Sequence, residues 1–133
     1  MIEPGDQRLT SHGVLCTVAT LARDSETQGV VVVYTSGVGV YWVMSQEDFE
    51  QGPEAPNTSP PVFTTPLGTF QHFKGTIYEV VTKARDPRSL TNLIVYESPE
   101  GLRWVRPERM FEESVTWPDG VVRPRFVRET PPG

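Results

Sequence analysis

The chain has 133 residues and a formal net charge of −5, with 37% apolar and 22% charged residues. This length suits one ordinary domain or two very small ones. The longest apolar run, residues 29–34, is far shorter than the roughly 20 residues of a membrane span, so no membrane insertion is expected. The single cysteine, Cys16, excludes an intrachain disulfide and a thiolate zinc site.

The charge is unevenly distributed. Residues 1–66 carry two basic and eight acidic side chains, whereas residues 67–133 carry ten basic and nine acidic ones. Non-specific DNA binding depends on phosphate neutralisation and is therefore not expected of the whole chain, although the second half could hold a local anion site. Residues 1–8 show no signal-peptide pattern, which favours a cytoplasmic location, meaning the host cytoplasm if the protein is phage-encoded.

The residue pattern of the first half predicts a short β-sheet. Three runs rich in β-branched and aromatic residues are predicted strands: residues 14–21, 30–34 and 38–44. Ser45 can cap a single helical turn over residues 45–49. Residues 51–66 contain five prolines and no apolar periodicity, which indicates an extended linker or a crossing segment. Residues 2–9, or a strand borrowed from a neighbouring unit, would complete the sheet.

The second half predicts the same order of elements. Its predicted strands are residues 76–84, 92–97 and 102–106. Residues 98–101 (SPEG) are a strong turn signal between the last two. Pro107 suits the first position of a helical turn over residues 107–111. A final hairpin is predicted around the Pro-Asp-Gly turn at residues 118–120, with strands at 115–117 and 121–122.

The two halves match each other without a gap at an offset of 62 residues. Residues 11–50 laid on residues 73–112 give 14 identities, including Trp42-Val43 on Trp104-Val105, where chance would give about two or three. We interpret this as a tandem duplication of a small, strongly bent β-barrel. Each unit alone is near the size limit for stable folding, so the two units could share one core. The predicted domain boundaries are 1–52, 53–66 (linker), 67–128 and 129–133 (tail).

The second copy also resembles a known family. The runs Gln71-His72-Phe73-Lys74-Gly75, Trp104-Val105-Arg106-Pro107 and Pro124-Arg125-Phe126 resemble, in order and spacing, the bacterial family called domain of unknown function 1653. The resemblance implies an SH3-type β-barrel and no established activity. The predicted fold is therefore mainly β, with two tandem SH3-like small β-barrels related by internal duplication. The first copy departs from the family pattern, with Met44-Ser45 in place of the Arg-Pro pair.

A ligand site is predicted in the second copy. His72 and Lys74 lie two residues apart, so an extended chain would place them on one face. Guanidinium groups bind anions and an indole ring stacks on flat ligands. The predicted ligand-binding set is His72, Lys74, Arg85, Tyr96, Trp104 and Arg106. A structural alternative stands beside it, because Trp104 and Tyr96 recur in the first copy as core rings would, and Arg85 could pair with a local carboxylate.

Catalysis has little support in the sequence. It contains no phosphate-binding glycine loop, no nucleophile elbow and no histidine pair at metal-binding spacing. Cys16 lies in an apolar predicted strand, which favours an inert buried thiol. We therefore expect no catalytic residues, no metal and no cofactor.

The sequence favours a non-catalytic module that binds a peptide segment or a small anionic ligand through its second copy. One alternative is a phage or mobile-element protein that sequesters a nucleotide-like small molecule or inhibits a host protein. Another is an interaction protein that docks a partner through an edge strand or through residues 53–66. A small enzyme, nucleic-acid binding through the second-half arginines, and homo-oligomerisation also remain open.

Overall fold

A computed structural model describes residues 2–37, 40–59 and 61–129. These residues form eleven strands and two short helices. The strands are β1 (Gln7–Leu9), β2 (Leu15–Asp24), β3 (Val30–Gly37), β4 (Val40–Ser45), β5 (Gly68–His72), β6 (Ile77–Arg85), β7 (Asn92–Glu97), β8 (Arg103–Pro107), β9 (Ser114–Thr116), β10 (Val122–Pro124) and β11 (Phe126–Arg128). The helices are α1 (Gln46–Gln51) and α2 (Glu108–Phe111). The prediction of a mainly β protein is confirmed.

Six of these strands close a single barrel. β2–β3–β4 and β6–β7–β8 are antiparallel three-stranded meanders. Two parallel contacts join them, one pairing Trp42 with Arg85 and the other pairing Arg23 with Trp104. A closed β-barrel is confirmed, but it is one six-stranded barrel and not the two tandem barrels that the sequence predicted, because the ring takes three strands from each half of the chain. A three-stranded meander has too few strands to close on itself, so the two halves complete each other.

The strand registers recur at the sequence offset of 62 residues. Val18 pairs with Tyr34 in the first half, and Val80 pairs with Tyr96 in the second. A β-bulge follows Val18 and another follows Val80, and each interrupts its ladder at the same place. Among the described residues, the two non-glycine positions with positive φ are Gln28 (63°) and Leu90 (61°), which are also 62 residues apart. Positive φ is uncommon outside glycine, so the match extends to an unusual backbone geometry.

The barrel interior is filled by residues from all six strands. The buried cluster contains Ala22, Val31, Val33, Val43, Ala84, Leu93, Val95 and Val105. Side chains alternate along a strand, so the residues between them face outward. The cluster consists of four pairs at the 62-residue offset, and three of the pairs are identical in residue type.

The outer faces carry two further cores. One includes Tyr34, Trp42 and Phe49 of α1, and the other includes Tyr96 and Phe111 of α2. Each short helix therefore contributes one aromatic ring to the core on its side of the barrel. α1 begins as expected, because Ser45 Oγ accepts a hydrogen bond from the Asp48 backbone N–H.

Most predicted strands lie within one to three residues of the observed bounds. The beginning of the predicted strand 38–44 falls on residues 38–39, which lie outside the described residues, as does most of the predicted tail, 130–133. β1, within residues 2–9, completes the first sheet by pairing with β2. Neither described helix has the length and apolar character needed to cross a membrane.

The proline-rich residues 51–66 cross the surface between the halves. Beyond α1, their described part carries neither helix nor strand. Near the start of the crossing, the Tyr34 hydroxyl donates to the Glu54 carbonyl. At its end, buried Glu108 of α2 accepts hydrogen bonds from the backbone N–H groups of Thr64 and Thr65, at 3.0 and 2.9 Å. The segment is therefore attached at both ends by hydrogen bonds to side chains of each half.

Because the ring needs six strands, a fragment of residues 67–133 is expected to have no stable monomer. It should fold only as a dimer, in which Trp104 of one copy takes the place of Trp42 beside Arg85 of the other. Light scattering after size exclusion, combined with circular dichroism, measures both mass and β content. The full chain at the same concentration is the control, and a folded monomeric fragment would contradict the shared barrel.

Candidate functional site

A cleft of about 460 Å³ lies beside the second half of the barrel. This volume falls within the range of about 300–1,000 Å³ that is typical of ligand pockets. Its walls come from the turn between β5 and β6, from β8, from the residue before β11 and from the β2–β3 turn of the first half. The ring closure brings the last of these into place, because the Ser25 backbone N–H donates to the Val105 carbonyl at 3.0 Å.

Five of the six predicted site residues line this cleft. They are His72, Lys74, Tyr96, Trp104 and Arg106. His72 ends β5, Lys74 lies in the following turn, and Trp104 and Arg106 alternate on β8. His72 and Lys74 both line the cleft, but the extended geometry predicted for them is wrong. Residues 72–75 form a hydrogen-bonded turn rather than an extended strand.

Arg85 does not belong to the site, and this part of the prediction is corrected. It lies seven residues beyond Tyr78 on β6, which at about 3.3 Å per residue places it roughly 23 Å along the strand. Its guanidinium donates to the Leu90 carbonyl and to the Thr58 hydroxyl, at 3.1 and 3.3 Å. Arg85 therefore bonds to a backbone carbonyl and a hydroxyl, and not to the local carboxylate that the sequence suggested.

The cleft combines cations with aromatic rings. Lys74 Nζ lies 5.7 Å from the centre of the Phe73 ring, and the Arg125 guanidinium lies at the same distance from it. Arg106 Nε donates to the Tyr96 hydroxyl at 3.3 Å. None of the described residues that line the cleft is Asp or Glu. The three cations therefore face a space whose walls hold no carboxylate to neutralise them.

His72 stays neutral in this setting. Its burial, together with the charges of Arg106, Arg125 and Lys74, lowers the pKa of His72 to about 4. The hydrogen-bond geometry agrees, because His72 Nδ1 accepts from the Lys74 backbone N–H at 3.2 Å and so carries no proton. The ring lies between Phe73 and Phe126, with centroids 4.5 and 4.8 Å away.

Two polar atoms in the cleft walls are buried without a partner among the described residues. They are Ser25 Oγ and Arg125 Nε. The other end of the Arg125 guanidinium contacts Glu113 at 3.3 Å, so its charge is only partly matched. A buried donor that lacks a partner is costly, by about 1–3 kcal/mol, and calls for an explanation. Both atoms belong to hydrogen-bond donors.

Sequence reasoning missed several lining residues. Arg125 and Phe73 lie in the runs that carry the family resemblance, and that was the available signal for them. Ser25 and Gln28 come from the first half, and no spacing in the sequence connects them to Trp104. They reach the cleft through the parallel pairing of β2 with β8.

Another cavity, of about 480 Å³, has a symmetric lining that includes the equivalent residues Asp24 and Asp86. Both carboxylates cap turns: Asp24 accepts from the backbone N–H groups of Glu26 and Thr27, and Asp86 does the same two and three residues ahead. The described residues contain no cluster of three or more His, Cys, Asp or Glu placed to hold a metal. Cys16 is buried, and this burial raises the pKa of its thiol, which disfavours the reactive thiolate form.

The second half of the chain is similar to a family of known proteins. Residues 68–128 match the sequence model of the family described as protein of unknown function (DUF1653). The predicted resemblance is thus confirmed for this segment. A crystal structure of a DUF1653 protein from Bordetella bronchiseptica is 28% identical, covers 51% of this chain and 95% of its own, and has a TM-score of 0.43. No curated protein matches the chain. All the second-half cleft residues lie inside the matched segment.

The two equivalent tryptophans should differ in their contribution to stability. Trp42 is 2% exposed, whereas Trp104 is half-buried at the cleft. Trp42→Ala is expected to lower the free energy of unfolding by about 3–5 kcal/mol, as for other fully buried large rings. Trp104→Ala should cost clearly less, because part of its indole is already in water. Urea denaturation measures both, and equal losses would assign Trp104 to the core alone.

His72 should make stability depend on pH between about 6.5 and 4. In this window the unfolded chain binds more protons at His72 than the folded chain does, so the free energy of unfolding falls as the pH is lowered. His72→Gln removes this contribution and should therefore lose less melting temperature between pH 7 and pH 4.5 than the wild type. The exposed-turn variant His12→Gln should keep the wild-type difference. Equal losses in all three proteins would show that His72 has no depressed pKa.

Proposed function

We propose that this protein is a non-catalytic binding module whose cleft takes an anionic group, a carboxylate or a phosphate. The observation that carries the proposal is the pair of buried, unpartnered polar atoms, Ser25 Oγ and Arg125 Nε, in the walls of one cationic cleft. An anion bound in the cleft supplies negative charge to a lining that holds Lys74, Arg106 and Arg125 and no carboxylate among the described residues. Charge-assisted hydrogen bonds of this kind are about twice as strong as neutral ones.

The aromatic walls add a second requirement. Tyr78 and Tyr96 pack edge to face at 5.3 Å, and half-buried Trp104 stands beside them. Rings of this kind bind flat or apolar groups and are common at recognition sites. The ligand is therefore an anionic group attached to a larger body. No described cleft residue pairs an acid with a base at catalytic geometry, which favours binding over catalysis.

The tandem duplication also belongs to this proposal. It is supported by the recurring registers, by the paired bulges and by the shared positive φ at Gln28 and Leu90. In this view each copy contributed a meander to one barrel and a potential cleft beside it. The first copy has diverged at the cleft, where Met44 stands at the position of Arg106.

A nucleotide-like small molecule is the second candidate ligand. The combination of Arg106 with Trp104 favours it, since a guanidinium can hold a phosphate while an indole stacks on a base. Sequestration of such a molecule by a phage or mobile-element protein is one setting for this binding, and inhibition of a host protein is another. Both settings use the same cleft.

The anion site predicts that Arg106→Gln and Arg125→Gln each weaken the binding of inorganic phosphate or acetate. Each variant loses one charged donor, so we expect a loss of roughly 10- to 100-fold in affinity. Titration of the ¹⁵N-labelled protein by NMR measures the affinity and locates the shifts, and the pKa of His72 should rise when the anion is bound.

Arg123→Gln is the matched control, because Arg123 pairs with Asp119 on the β9–β10 hairpin and lies outside the cleft. Its affinity should equal that of the wild type. Equal weakening by all three substitutions would reduce the effect to non-specific charge, and an absence of phosphate and acetate binding would remove the anion site.

A further inference from the structure

The open cleft has a counterpart in the first half of the molecule. Lining positions in the second half such as His72, Phe73, Lys74 and Thr76 fall, 62 residues earlier, on Thr10, Ser11, His12 and Val14, which line a smaller cavity of about 210 Å³. Ser25 of the open cleft likewise corresponds to Pro87 of this cavity. The two sites are therefore the same place in the two halves.

The counterpart cavity is walled by a segment of the chain itself. Residues 53–56, with the sequence Pro-Glu-Ala-Pro, form the rest of its lining. Pro53 is buried, and Ala55 packs against the cluster that contains Trp42 and Met44. The segment has no helix or strand and presents two prolines, as extended segments that dock on aromatic grooves do.

The equivalent tyrosines show how such a segment is held. Tyr34 donates its hydroxyl proton to the Glu54 backbone carbonyl. Tyr96, its counterpart, accepts a hydrogen bond from Arg106 Nε and still has its own proton to donate. Trp42 beneath the segment is 2% exposed, whereas Trp104 in the open cleft is half-buried. The second half thus keeps the docking groups and lacks the covering segment among the described residues.

Charge sets the difference between the two sites. Lys74 and Arg106 stand where the first half has His12 and Met44. Conversely, the first half holds the Glu54 side chain with Arg88, and the residue equivalent to Arg88 is Glu26. An acidic side chain at the Glu54 position would therefore meet a like charge. Ala55 packs against the cluster that contains Met44, so an acidic side chain at the equivalent position would lie on the side of the cleft that holds Arg106.

Resting on the proposed anion site, we propose that the open cleft binds an extended, proline-containing segment of a partner protein in the pose of residues 53–56. Its acidic side chain stands at the position equivalent to Ala55 and supplies the carboxylate. The partner segment thus reads Pro-x-acidic-Pro, where the chain's own segment reads Pro-acidic-x-Pro.

Four blocked hexapeptides test this on the intact protein by NMR titration. GPQEPN carries the proposed pattern on the frame of residues 52–57, and GPEQPN has the same composition with the acid moved by one residue. GPQQPN lacks the charge, and GAQEAN lacks the prolines. We expect GPQEPN to bind about 10-fold more tightly than each of the others, the loss that one charge-assisted contact would give. Its shifts should fall on residues 72–78, 96 and 104–106 and not on residues 10–14.

Two substitutions connect the preference to the cleft. Arg106→Met installs the residue of the first half and should abolish the preference for GPQEPN over GPQQPN. Lys74→Ala should weaken GPQEPN, whereas the matched His12→Ala should leave it unchanged. Because Met already occupies the equivalent position, and Lys74 is exposed, both variants are expected to fold.

The outcomes separate this inference from the proposed function. If acetate and phosphate bind at Arg106 but GPQEPN binds no more tightly than acetate or GPEQPN, the peptide inference fails and the anion site stands. If adenosine monophosphate binds more tightly than GPQEPN, the ligand is a nucleotide and the inference also fails. If neither the anions nor the peptides bind, both proposals fail together.

Discussion

Two parallel strand contacts hold this molecule together, and each joins an arginine of one half to a tryptophan of the other. Without them the two meanders would be open sheets with exposed edges and half a core each. With them, the eight small side chains of the interior come together from six strands. The same contacts carry the β2–β3 turn across the barrel, so that Ser25 reaches the cleft of the other half. Both the fold and the candidate cleft therefore depend on the closure of the six-stranded barrel.

The strands were predictable because their β-branched runs and turns are local signals. The barrel closure was not, because the contact between Arg23 and Trp104 joins residues 81 positions apart and has no local signature. For the same reason five of the six predicted site residues lie together in the cleft, since they come from one turn and two neighbouring strands, while Ser25 of the same cleft was not predicted. Arg85 was misplaced because a strand carries its two ends far apart, and the sequence spacing alone does not show which end faces the cleft.

The two halves show how one backbone supports different surface chemistry. The paired registers and the interior cluster are nearly unchanged between them. The two halves differ in the side chains that point away from the barrel interior, as at Met44 and Arg106. Trp104 illustrates the point, because its position in the strand pairing is structural while its half-buried ring also forms a cleft wall. The structural and the ligand-binding interpretations of Trp104 therefore do not exclude each other.

The segment of residues 53–56 covers the first-half cavity, which bears on how many partners the proposed binding would allow. A symmetric barrel offers two equivalent grooves, and a protein with both grooves open could join two partners into a chain or network. Here the first groove is occupied from within the molecule, where the local concentration of the tethered segment is in the millimolar range, and an external competitor is strongly disfavoured. If the open cleft binds a partner segment as proposed, the protein is monovalent: it would cap one partner and would not cross-link two.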